Sequence, residues 1–508
     1  MLGVTTEETP AEGLTEVLVR RFLTTDDARP DAVRRWHARG RRTARENIAD
    51  LVDEGSFVEY GRFVTAAQEC RRPLADLVVE APADGIVGGT ATVDGIPVAV
   101  LSYDYLVMAG TQGMRGHRKS DRLIELAGRM GLPTVFFTEG GGGRPGDVDV
   151  PLVSALDVES FALWGELAGV VPRIAVVSGR CFAGNAVLAG CADLRIATPD
   201  ANLGMAGPAM IAGGGLGEFA PEEIGPVDEQ AASGGVDVVV DDEEQAVAVV
   251  RRVLGYLSGP SGPGTADDQT VLHDLFPANG RETVDVRPVV DALVDHDSVT
   301  WLRDGWAPEL VTALARFDGI PAGIVANQST HLAGALTADA SAKAADFFGL
   351  CEQWRLPVVS LVDTPGFMVG PEAERSGLVR QASRMVNAGA RLTVPLVGVV
   401  LRRGYGLGAQ AMLGGSTHRP LLTVAWPGAH LGAMGPEGAV RLAHAKELAA
   451  MADDERESTV AARIAEVRTH AKALNAARVF EIDDVIDPAE TRAVVAATIS
   501  RAARGRPQ

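Results

Sequence analysis

Cysteine is scarce in this chain of 508 residues: it occurs four times, at Cys70, Cys181, Cys191 and Cys351. No C-x-x-C pair is present, so a zinc ribbon is not expected, and four scattered cysteines do not form the disulfide framework of a small secreted domain. The nine histidines are equally scattered, and no metal-ligating cluster is predicted. These absences favour a reduced cytoplasmic protein without a metal of its own.

Basic residues are also fewer than acidic ones: the chain has 47 Lys and Arg and 67 Asp and Glu, which gives a formal net charge of −20. This balance argues against nucleic acid or an anionic membrane as a partner, although an anionic small substrate needs only a local basic cradle. No apolar run reaches the 18 residues typical of a membrane span, and the polar, acidic N-terminus is unlike a signal peptide. We therefore expect no membrane association.

Familiar catalytic motifs are missing as well. The sequence has no G-x-S-x-G and no recognisable Ser-His-Asp order. The glycine run at 212–219 matches a dinucleotide-binding fingerprint only weakly. With no protein nucleophile in view, the chemistry that remains is stabilisation of negative charge by backbone donors.

What the chain does contain is an internal duplication. "VDGIPVAV" at 93–100 matches "FDGIPAGI" at 317–324, and "MAGTQG" at 108–113 matches "LAGALT" at 332–337. Further pairs follow in the same order; they begin at 119 and 343, 132 and 356, 171 and 394, and 201 and 429. Matches so consistently ordered and spaced predict two fused domains of like fold.

Composition changes along the chain suggest its organisation. The stretch "SGPSGPGTADD" is rich in Gly, Pro and Ser and is interpreted as a linker. We predict an N-terminal helical segment at 1–61, a first domain at 62–257, a linker at 258–268 and a second domain at 269–508.

Each half alternates short apolar strands with longer helical patterns, as at 118–131 and its counterpart 340–354. This alternation indicates βαβ units and an α/β fold. A further helix is predicted at 453–474, after the second set of strands.

Two glycine-rich turns are the strongest functional signal. "GRCFAGNAVLAG" at 179–190 and "RRGYGLGAQAML" at 402–413 each follow a predicted strand and lead into a helix of small residues. Glycine lets the backbone approach a ligand, and a helix start presents free N–H groups, so each turn has the anatomy of an oxyanion hole. The loops "MAG" at 108–110 and "LAG" at 332–334 offer second donors. Packing alone would also explain one such turn, but the duplicated turn and loop favour a site.

Five segments, at 37–61, 319–328, 361–370, 425–440 and 481–492, resemble in order the carboxyltransferase (β) subunit of biotin-dependent acyl-CoA carboxylases, in the crotonase superfamily. The resemblance extends from about residue 30 to 503. It implies an α/β fold made of two tandem crotonase-like (ββα-superhelix) domains with flanking N- and C-terminal helices.

The resemblance also implies an activity: transfer of CO₂ from carboxybiotin to the α (or vinylogous) carbon of an acyl-CoA, through an enolate held by backbone amides. The first half would bind the coenzyme A thioester and the second half the carboxybiotin. Biotin would be carried covalently by a separate biotin carboxylase/biotin carrier α subunit, and the β subunits would form a hexamer built from dimers. The cofactor would act as the base, which explains the missing nucleophile.

Matching the motifs places the first catalytic pair of amides on Gly184 and Asn185 and the second pair on Leu407 and Gly408. Asn185 stands where glycine is common, which narrows the conformations available there. The companion oxyanion donors fall, by position, in the two AG loops, on Gly110 and Gly334.

Other candidates concern substrate binding. His117, Arg118 and Lys119 follow the "MAGTQG" loop and could contact CoA phosphates, or they form a solvated helix start. Arg144 matches the arginine of a family turn and would serve CoA or hold its loop. Gln410 occupies a position near the acyl tail where the propionyl type has Asp, so the acyl group is left open.

Three alternatives remain. A crotonase-type hydratase or hydrolase uses paired glutamates, but the corresponding positions are Val187 and Gln410. A biotin-dependent decarboxylase or transcarboxylase subunit would carry the same residues. An inactive scaffold paralogue is supported only by Asn185 and Gln410. Asp363, before Thr-Pro-Gly, is expected to form a turn rather than to serve as a catalytic carboxylate.

Overall fold

The computed structural model describes residues 10–149, 154, 156–276 and 282–504. The chain divides into two compact units, Met1–Gly255 and Tyr256–Gln508. The boundary between the units falls shortly before the stretch 258–268 that the composition marks as a linker.

The first unit contains both helices and strands. Its helices are α1 Pro10–Phe22, α2 Pro30–His37, α3 Ala44–Leu51, α4 Leu74–Glu80, α5 Met114–Met130, α6 Ser160–Glu166, α7 Gly184–Gly190, α8 Pro208–Gly213, α9 Val227–Ala232 and α10 Glu243–Leu257, whose last turn crosses the boundary. Its strands are β1 Val58–Glu59, β2 Ile86–Val93, β3 Ile96–Tyr103, β4 Thr134–Phe137, β5 Arg173–Val177, β6 Arg180–Phe182, β7 Leu194–Ala197, β8 Asn202–Gly204 and β9 Val238–Val239.

The main sheet of the first unit has the order β1-β2-β3-β4-β5-β7-β9, counted over the described residues. The pairs β1–β2 and β2–β3 are antiparallel, and the pairs from β3 onward are parallel. Strands β6 and β8 form a separate parallel pair. The core includes Leu101, Leu123, Phe136 and Trp164, and the last two rings meet edge to face with centroids 5.8 Å apart.

The second unit has a similar composition of elements. Its helices are α11 Arg287–Leu293, α12 Ala338–Gln353, α13 Pro371–Arg375, α14 Leu378–Ala390, α15 Gly406–Met412, α16 Pro436–Ala443, α17 Ala445–Ala449, α18 Asp453–His470, α19 Ala473–Arg478 and α20 Thr491–Arg504. Its strands are β10 Thr300–Leu302, β11 Leu310–Phe317, β12 Ile320–Asn327, β13 Val358–Thr364, β14 Leu396–Tyr405, β15 Leu422–Ala425, β16 His430–Gly432 and β17 Asp484–Val485.

The sheet of the second unit repeats the topology of the first. In the described part of the chain its order is β10-β11-β12-β13-β14-β15-β17, with β16 pairing to the end of β14. The pairs β10–β11 and β11–β12 are antiparallel and the rest are parallel. Strand β13 is buried along its whole length, as expected for a parallel strand covered on both faces. The duplicated α/β fold predicted from the sequence is confirmed.

The predicted flanking helices are also present. In the N-terminal segment, α3 begins at a capping box, where the Thr43 side chain accepts from the Glu46 amide and Glu46 accepts from the Thr43 amide. Such a box satisfies two of the free donors of a helix start. The helix predicted at 453–474 is observed as α18, followed by the short helix α19.

Candidate active site

The first glycine turn joins β6 to α7. Ala183 caps the helix with φ 52° and ψ −122°, a conformation that favours glycine, and the equivalent residue of the second unit is Gly406 with φ 60°. The first amide of α7 that bonds back into the turn is that of Val187, which donates to the Ala183 carbonyl at 3.0 Å. The preceding amides of Gly184 and Asn185 have no backbone acceptor among the described residues, so they remain available as donors.

The second glycine turn joins β14 to α15, and among the described residues the amides of Leu407 and Gly408 likewise have no backbone acceptor. Leu407 lies in the first turn of α15, and its side chain is 70% exposed. Gly408 is buried against the backbone of the next loop: a Cβ at this position would lie 2.6 Å from the carbonyl carbon of Gly366. Glycine at 408 is therefore required by this close approach, whereas the Leu407 position tolerates a side chain.

The two AG loops are also duplicates of each other. Met108 and Ala109 have φ 49° and 55°, and Leu332 and Ala333 have φ 47° and 53°. Two successive left-handed residues in each loop indicate a strained backbone geometry that the two units share.

The geometry of these loops favours companion donors one residue earlier than the sequence predicts. The amide of Gly110 donates to the Val107 carbonyl at 3.0 Å, and that of Gly334 donates to the His331 carbonyl at 2.8 Å. These two amides are therefore already bonded. The amides of Ala109 and Ala333 have no backbone acceptor in the ranges that the structure describes, and they replace Gly110 and Gly334 as the companion candidates.

In the first unit, Asn185 connects the AG loop with the glycine turn. Its side chain is fully buried; Oδ1 accepts from the Gly142 amide at 3.0 Å, and Nδ2 donates to the Gly110 carbonyl at 3.4 Å. The Gly141 amide donates to the Ala109 carbonyl at 3.1 Å. Asn185 thus keeps the two donor segments together, so the side chain that replaces a common glycine has a structural role here.

The equivalent connection in the second unit uses Thr364 and Asn327. The Thr364 hydroxyl donates to the Gly334 carbonyl at 2.7 Å, and Asn327 Nδ2 donates to the same oxygen at 3.3 Å. Leu336 closes the loop by donating to the Gly366 carbonyl at 3.0 Å. The AG loop and the loop that packs on Gly408 are therefore joined.

Asp363 does not form the turn expected from the sequence. It lies in β13, is buried, and accepts hydrogen bonds from Arg402 Nη2 and Arg403 Nε, each at 2.7 Å. The turn is instead made by Thr364, whose Oγ1 accepts from the Gly366 amide at 3.1 Å. The expectation was wrong because nearby arginines compete successfully for the carboxylate.

Glu139 occupies the matching place in the first unit, one duplication period before Asp363. Its carboxylate accepts from Arg41 Nη2 at 2.8 Å. Arg402 corresponds to Gly179, and a Cβ at Gly179 would lie 2.5 Å from the Arg41 guanidinium. Arg41, from the N-terminal segment, thus fills the space that the side chain of Arg402 would occupy. Burial raises the pKa of Glu139 to about 8, although Arg41 opposes this shift.

The candidates for CoA binding lie in different environments. His117 is buried, with Nδ1 2.8 Å from the Ser160 hydroxyl, and burial together with the Arg144 charge lowers its pKa to about 4. Arg144 is bonded to Asp84 and donates to the Thr111 carbonyl at 2.8 Å. A neutral, buried imidazole and a paired guanidinium are poor phosphate ligands, so the structure favours the loop-holding role for Arg144.

Lys119 is buried, and its ammonium donates to the carbonyl of Ile86, the first residue of β2. In the second unit, Lys343 Nζ donates in the same way to the carbonyl of Leu310, the first residue of β11, at 2.6 Å. Burial lowers the pKa of Lys119 to about 8 and that of Lys343 to about 7. The pair stabilises equivalent strand starts. Arg118 is exposed on α5 and stays a candidate for CoA phosphates.

We predict that Lys119→Met destabilises the first unit increasingly as pH rises. The folded-state pKa of about 8 lies below the ordinary value of 10.5, so the penalty for burying the charge is present below pH 8 and is relieved between pH 8 and 10.5. The advantage of wild type over Lys119→Met in unfolding free energy should therefore grow from pH 7 to 10 in denaturant titrations.

The same variant tests the CoA prediction, with Arg118→Met as the matched exposed variant. We expect the KM for acyl-CoA to change less than twofold in Lys119→Met and to rise in Arg118→Met. A tenfold rise in the KM for acyl-CoA in Lys119→Met, without a rise in Arg118→Met, would show that Lys119 contacts CoA.

Gln410 is exposed on α15, three residues after Leu407. The backbone carbonyl of Gln410 accepts a hydrogen bond from the Gly415 amide at 2.7 Å, which fixes the chain at this position. The side chain is exposed, and its role in acyl selectivity stays a prediction.

No group of three or more His, Cys, Asp or Glu residues is arranged to hold a metal ion in the described residues. None of the helices in the described ranges is both long and apolar enough to cross a membrane.

Sequence reasoning missed Arg41, Glu139, Ala109 and Ala333. A signal for Glu139 was present, because it aligns with Asp363 in the duplication. No local signal marks Arg41, whose partner lies 98 residues away. The choice between Ala109 and Gly110 depends on which amide bonds inside the loop, and only the backbone shows this.

Comparison with known proteins identifies similar chains. The family model described as "Carboxyl transferase domain" matches residues 35–506. The propionyl-CoA carboxylase beta chain of Saccharopolyspora erythraea is 32% identical over 92% of this chain and 88% of that protein.

Two solved structures are also similar. A single-chain, multi-domain long-chain acyl-CoA carboxylase is 51% identical with a TM-score of 0.91; the match covers 97% of this chain, which spans about half (49%) of that protein. The transcarboxylase 12S hexamer with methylmalonyl-coenzyme A and methylmalonic acid bound is 32% identical with a TM-score of 0.87, covering 100% of this chain and 98% of that one.

Proposed function

Because this chain belongs to the carboxyl transferase family and is a carboxyltransferase of the biotin-dependent acyl-CoA carboxylase type, we propose that its two glycine turns are the two charge-stabilising parts of the reaction. The first unit binds the acyl-CoA thioester, and the second unit binds the biotin ring. One observation carries the proposal. In both units, the first amides of a helix have no backbone acceptor, and the neighbouring AG loop leaves one further amide unbonded.

In the first unit, the amides of Gly184 and Asn185, with that of Ala109, stabilise the thioester oxygen when the α-carbon loses its proton and becomes an enolate. Backbone donors that are already fixed need no reorganisation as charge develops. Asn185 holds the AG loop against the glycine turn, so it positions these donors through its side chain.

In the second unit, the amides of Leu407 and Gly408, with that of Ala333, hold the ureido oxygen of biotin. The donor set fits this group, because a neutral ring that gains negative charge needs N–H donors at a positive helix end and no counter-ion. When bound, biotin supplies the carboxyl group and a basic ring nitrogen. Asp363 is neutralised by Arg402 and Arg403 and keeps the donor loop in place.

The proposal extends to partners and substrate. We propose that biotin is delivered by a separate biotin carboxylase/biotin carrier α subunit in the cytoplasm. We also propose that this chain forms a hexamer built from dimers; the similar transcarboxylase 12S structure is described as a hexamer. The relative with 51% identity is named a long-chain acyl-CoA carboxylase, which makes long-chain acyl-CoA the first substrate class to test.

Carboxyl exchange tests the proposal without the partner. We expect the protein to transfer a ¹⁴C-carboxyl group from a 2-carboxyacyl-CoA to free biocytin, forming an N-carboxyl bond while the α-carbon regains a proton. The omission of biocytin is the control. Absence of transfer at every chain length from about 3 to 16 carbons would contradict the proposal, as would hydration of an enoyl-CoA without biotin. A transcarboxylase or decarboxylase would share this half-reaction, and no structural observation favours either.

A further inference from the structure

An apolar surface follows the first glycine turn. Over residues 204–220, the exposed side chains include Met205 (73% exposed), Met210 (64%), Leu216 (75%) and Phe219 (46%). The segment carries one charged residue, Glu218, whereas charged residues make up 22% of the chain. We call these four side chains the apolar surface. Clustered exposed side chains of this kind mark a binding site more often than scattered ones.

The apolar surface belongs to a segment with regular local structure. It includes α8, and the Leu216 amide donates back to the Ile211 carbonyl at 3.2 Å. Gly217 adopts φ 118°, and a Cβ there would lie 2.9 Å from the Phe219 ring. These contacts fix the backbone on which Leu216 and Phe219 are exposed.

The segment that carries the apolar surface is bonded to the first glycine turn. The Ala183 amide donates to the Gly204 carbonyl at 2.9 Å, which joins the turn to the start of the segment. A Cβ at Gly207 would lie 3.3 Å from the Phe182 ring, so this ring packs beneath the entry to α8.

A second ring lies at the turn itself. A Cβ at Gly184 would lie 3.0 Å from the Phe161 ring, which is 37% exposed. Phe161 therefore places a partly exposed apolar ring beside Gly184, whose amide is proposed to hold the thioester oxygen.

We propose that the apolar surface binds the alkyl tail of a long-chain acyl thioester and determines the chain length that the enzyme accepts. The inference rests on the proposed function, because the position of the tail follows from a thioester at Gly184. The four side chains include no cation for a phosphate, and the segment that carries them begins at Gly204, which is bonded to the glycine turn proposed to hold the thioester. A short acyl group such as propionyl ends before it.

Binding affinity is the direct readout. We expect wild type to bind palmitoyl-CoA, below its micelle concentration, at least tenfold more tightly than propionyl-CoA in isothermal titration. Burial of a methylene group favours binding by a factor of about four when it is complete, so partial burial of a tail suffices. Met210→Glu and Leu216→Glu should each weaken palmitoyl-CoA binding at least tenfold and leave propionyl-CoA binding unchanged.

Met130→Glu is the matched control. Met130 is 58% exposed at the end of α5, in the same unit, and the substitution adds the same charge. It should change neither affinity. Thermal unfolding of each variant within a few degrees of wild type shows that the fold is kept.

The outcomes separate the two proposals. Equal affinities of wild type for the two thioesters, or an unchanged palmitoyl-CoA affinity in both Glu variants, would overturn the inference while carboxyl exchange with propionyl-type substrates still supported the function. Loss of exchange at every chain length would instead reject the function. If sedimentation shows that Met210→Glu dissociates the assembly, and palmitoyl-CoA affinity falls only with dissociation, the surface is an interface between copies and the inference is wrong.

Discussion

Leu407→Pro should lower kcat by about 10²- to 10³-fold, the loss typical of removing one oxyanion donor. Proline is tolerated in the first turn of a helix, where its missing N–H breaks no intrahelical bond. The Leu407 side chain is 70% exposed, so little packing is lost. The main change is therefore the removal of one amide from the second glycine turn.

Leu407→Ala is the matched variant, because it keeps the amide and removes the same side chain. We expect its kcat in carboxyl exchange with biocytin to stay within about threefold of wild type. The thermal midpoints of the two variants should be similar. Wild-type turnover in Leu407→Pro, or equal losses in both variants, would show that this amide is not a donor in the reaction.

Arg41→Met should be the most destabilising substitution in the N-terminal segment. The guanidinium is 11% exposed and contacts Glu139 at 2.8 Å and Asp200 at 2.6 Å. Removing one partner of a buried ion pair typically costs about 3–5 kcal/mol, because the other charge is left unpaired. Denaturant unfolding of the first unit measures this loss.

Both variants are compared above pH 8, where the folded-state pKa of about 8 leaves Glu139 ionised. Glu139→Gln is the companion to this experiment, because it removes the charge that Arg41 neutralises at that pH. We expect Arg41→Met/Glu139→Gln to recover a large part of the stability lost in Arg41→Met. A double variant as unstable as Arg41→Met would show that Arg41 acts through Asp200, through the buried Glu243 or through packing.

The pH dependence of the same pair has a defined sign. Burial raises the folded-state pKa of Glu139 from 4.5 to about 8. The folded protein therefore retains this proton where the unfolded chain has lost it, and the contribution to stability falls as pH rises from about 4.5 to 8. Glu139→Gln cannot titrate, so its stability should fall less than that of wild type over this window.

The duplication made the fold accessible from the sequence. Matching segments of the two halves, such as 93–100 and 317–324, are separated by a nearly constant number of residues. In the structure, each of these two segments forms the turn and the start of the second strand of an antiparallel pair. The glycine turns were also predictable, because strand, glycine and small-residue helix follow one another locally.

The parts that could not be predicted depend on contacts between distant residues. Lys119 belongs to a polar stretch of sequence, and only the packing of α5 shows that its ammonium is buried against Ile86. The Arg41 side chain fills the space next to Gly179, where the second unit has the side chain of Arg402. No local sequence pattern indicates this contact. Asp363 was expected to cap a turn because its arginine partners lie 39 and 40 residues away.

A crystal structure with a non-reactive acyl-CoA analogue bound would test the central claim most directly. The account predicts that the oxygen equivalent to the thioester carbonyl lies about 2.7–3.1 Å from the amide nitrogen of Gly184, the distance of an effective oxyanion donor. An oxygen held instead by a charged side chain, or lying away from the glycine turn, would contradict it.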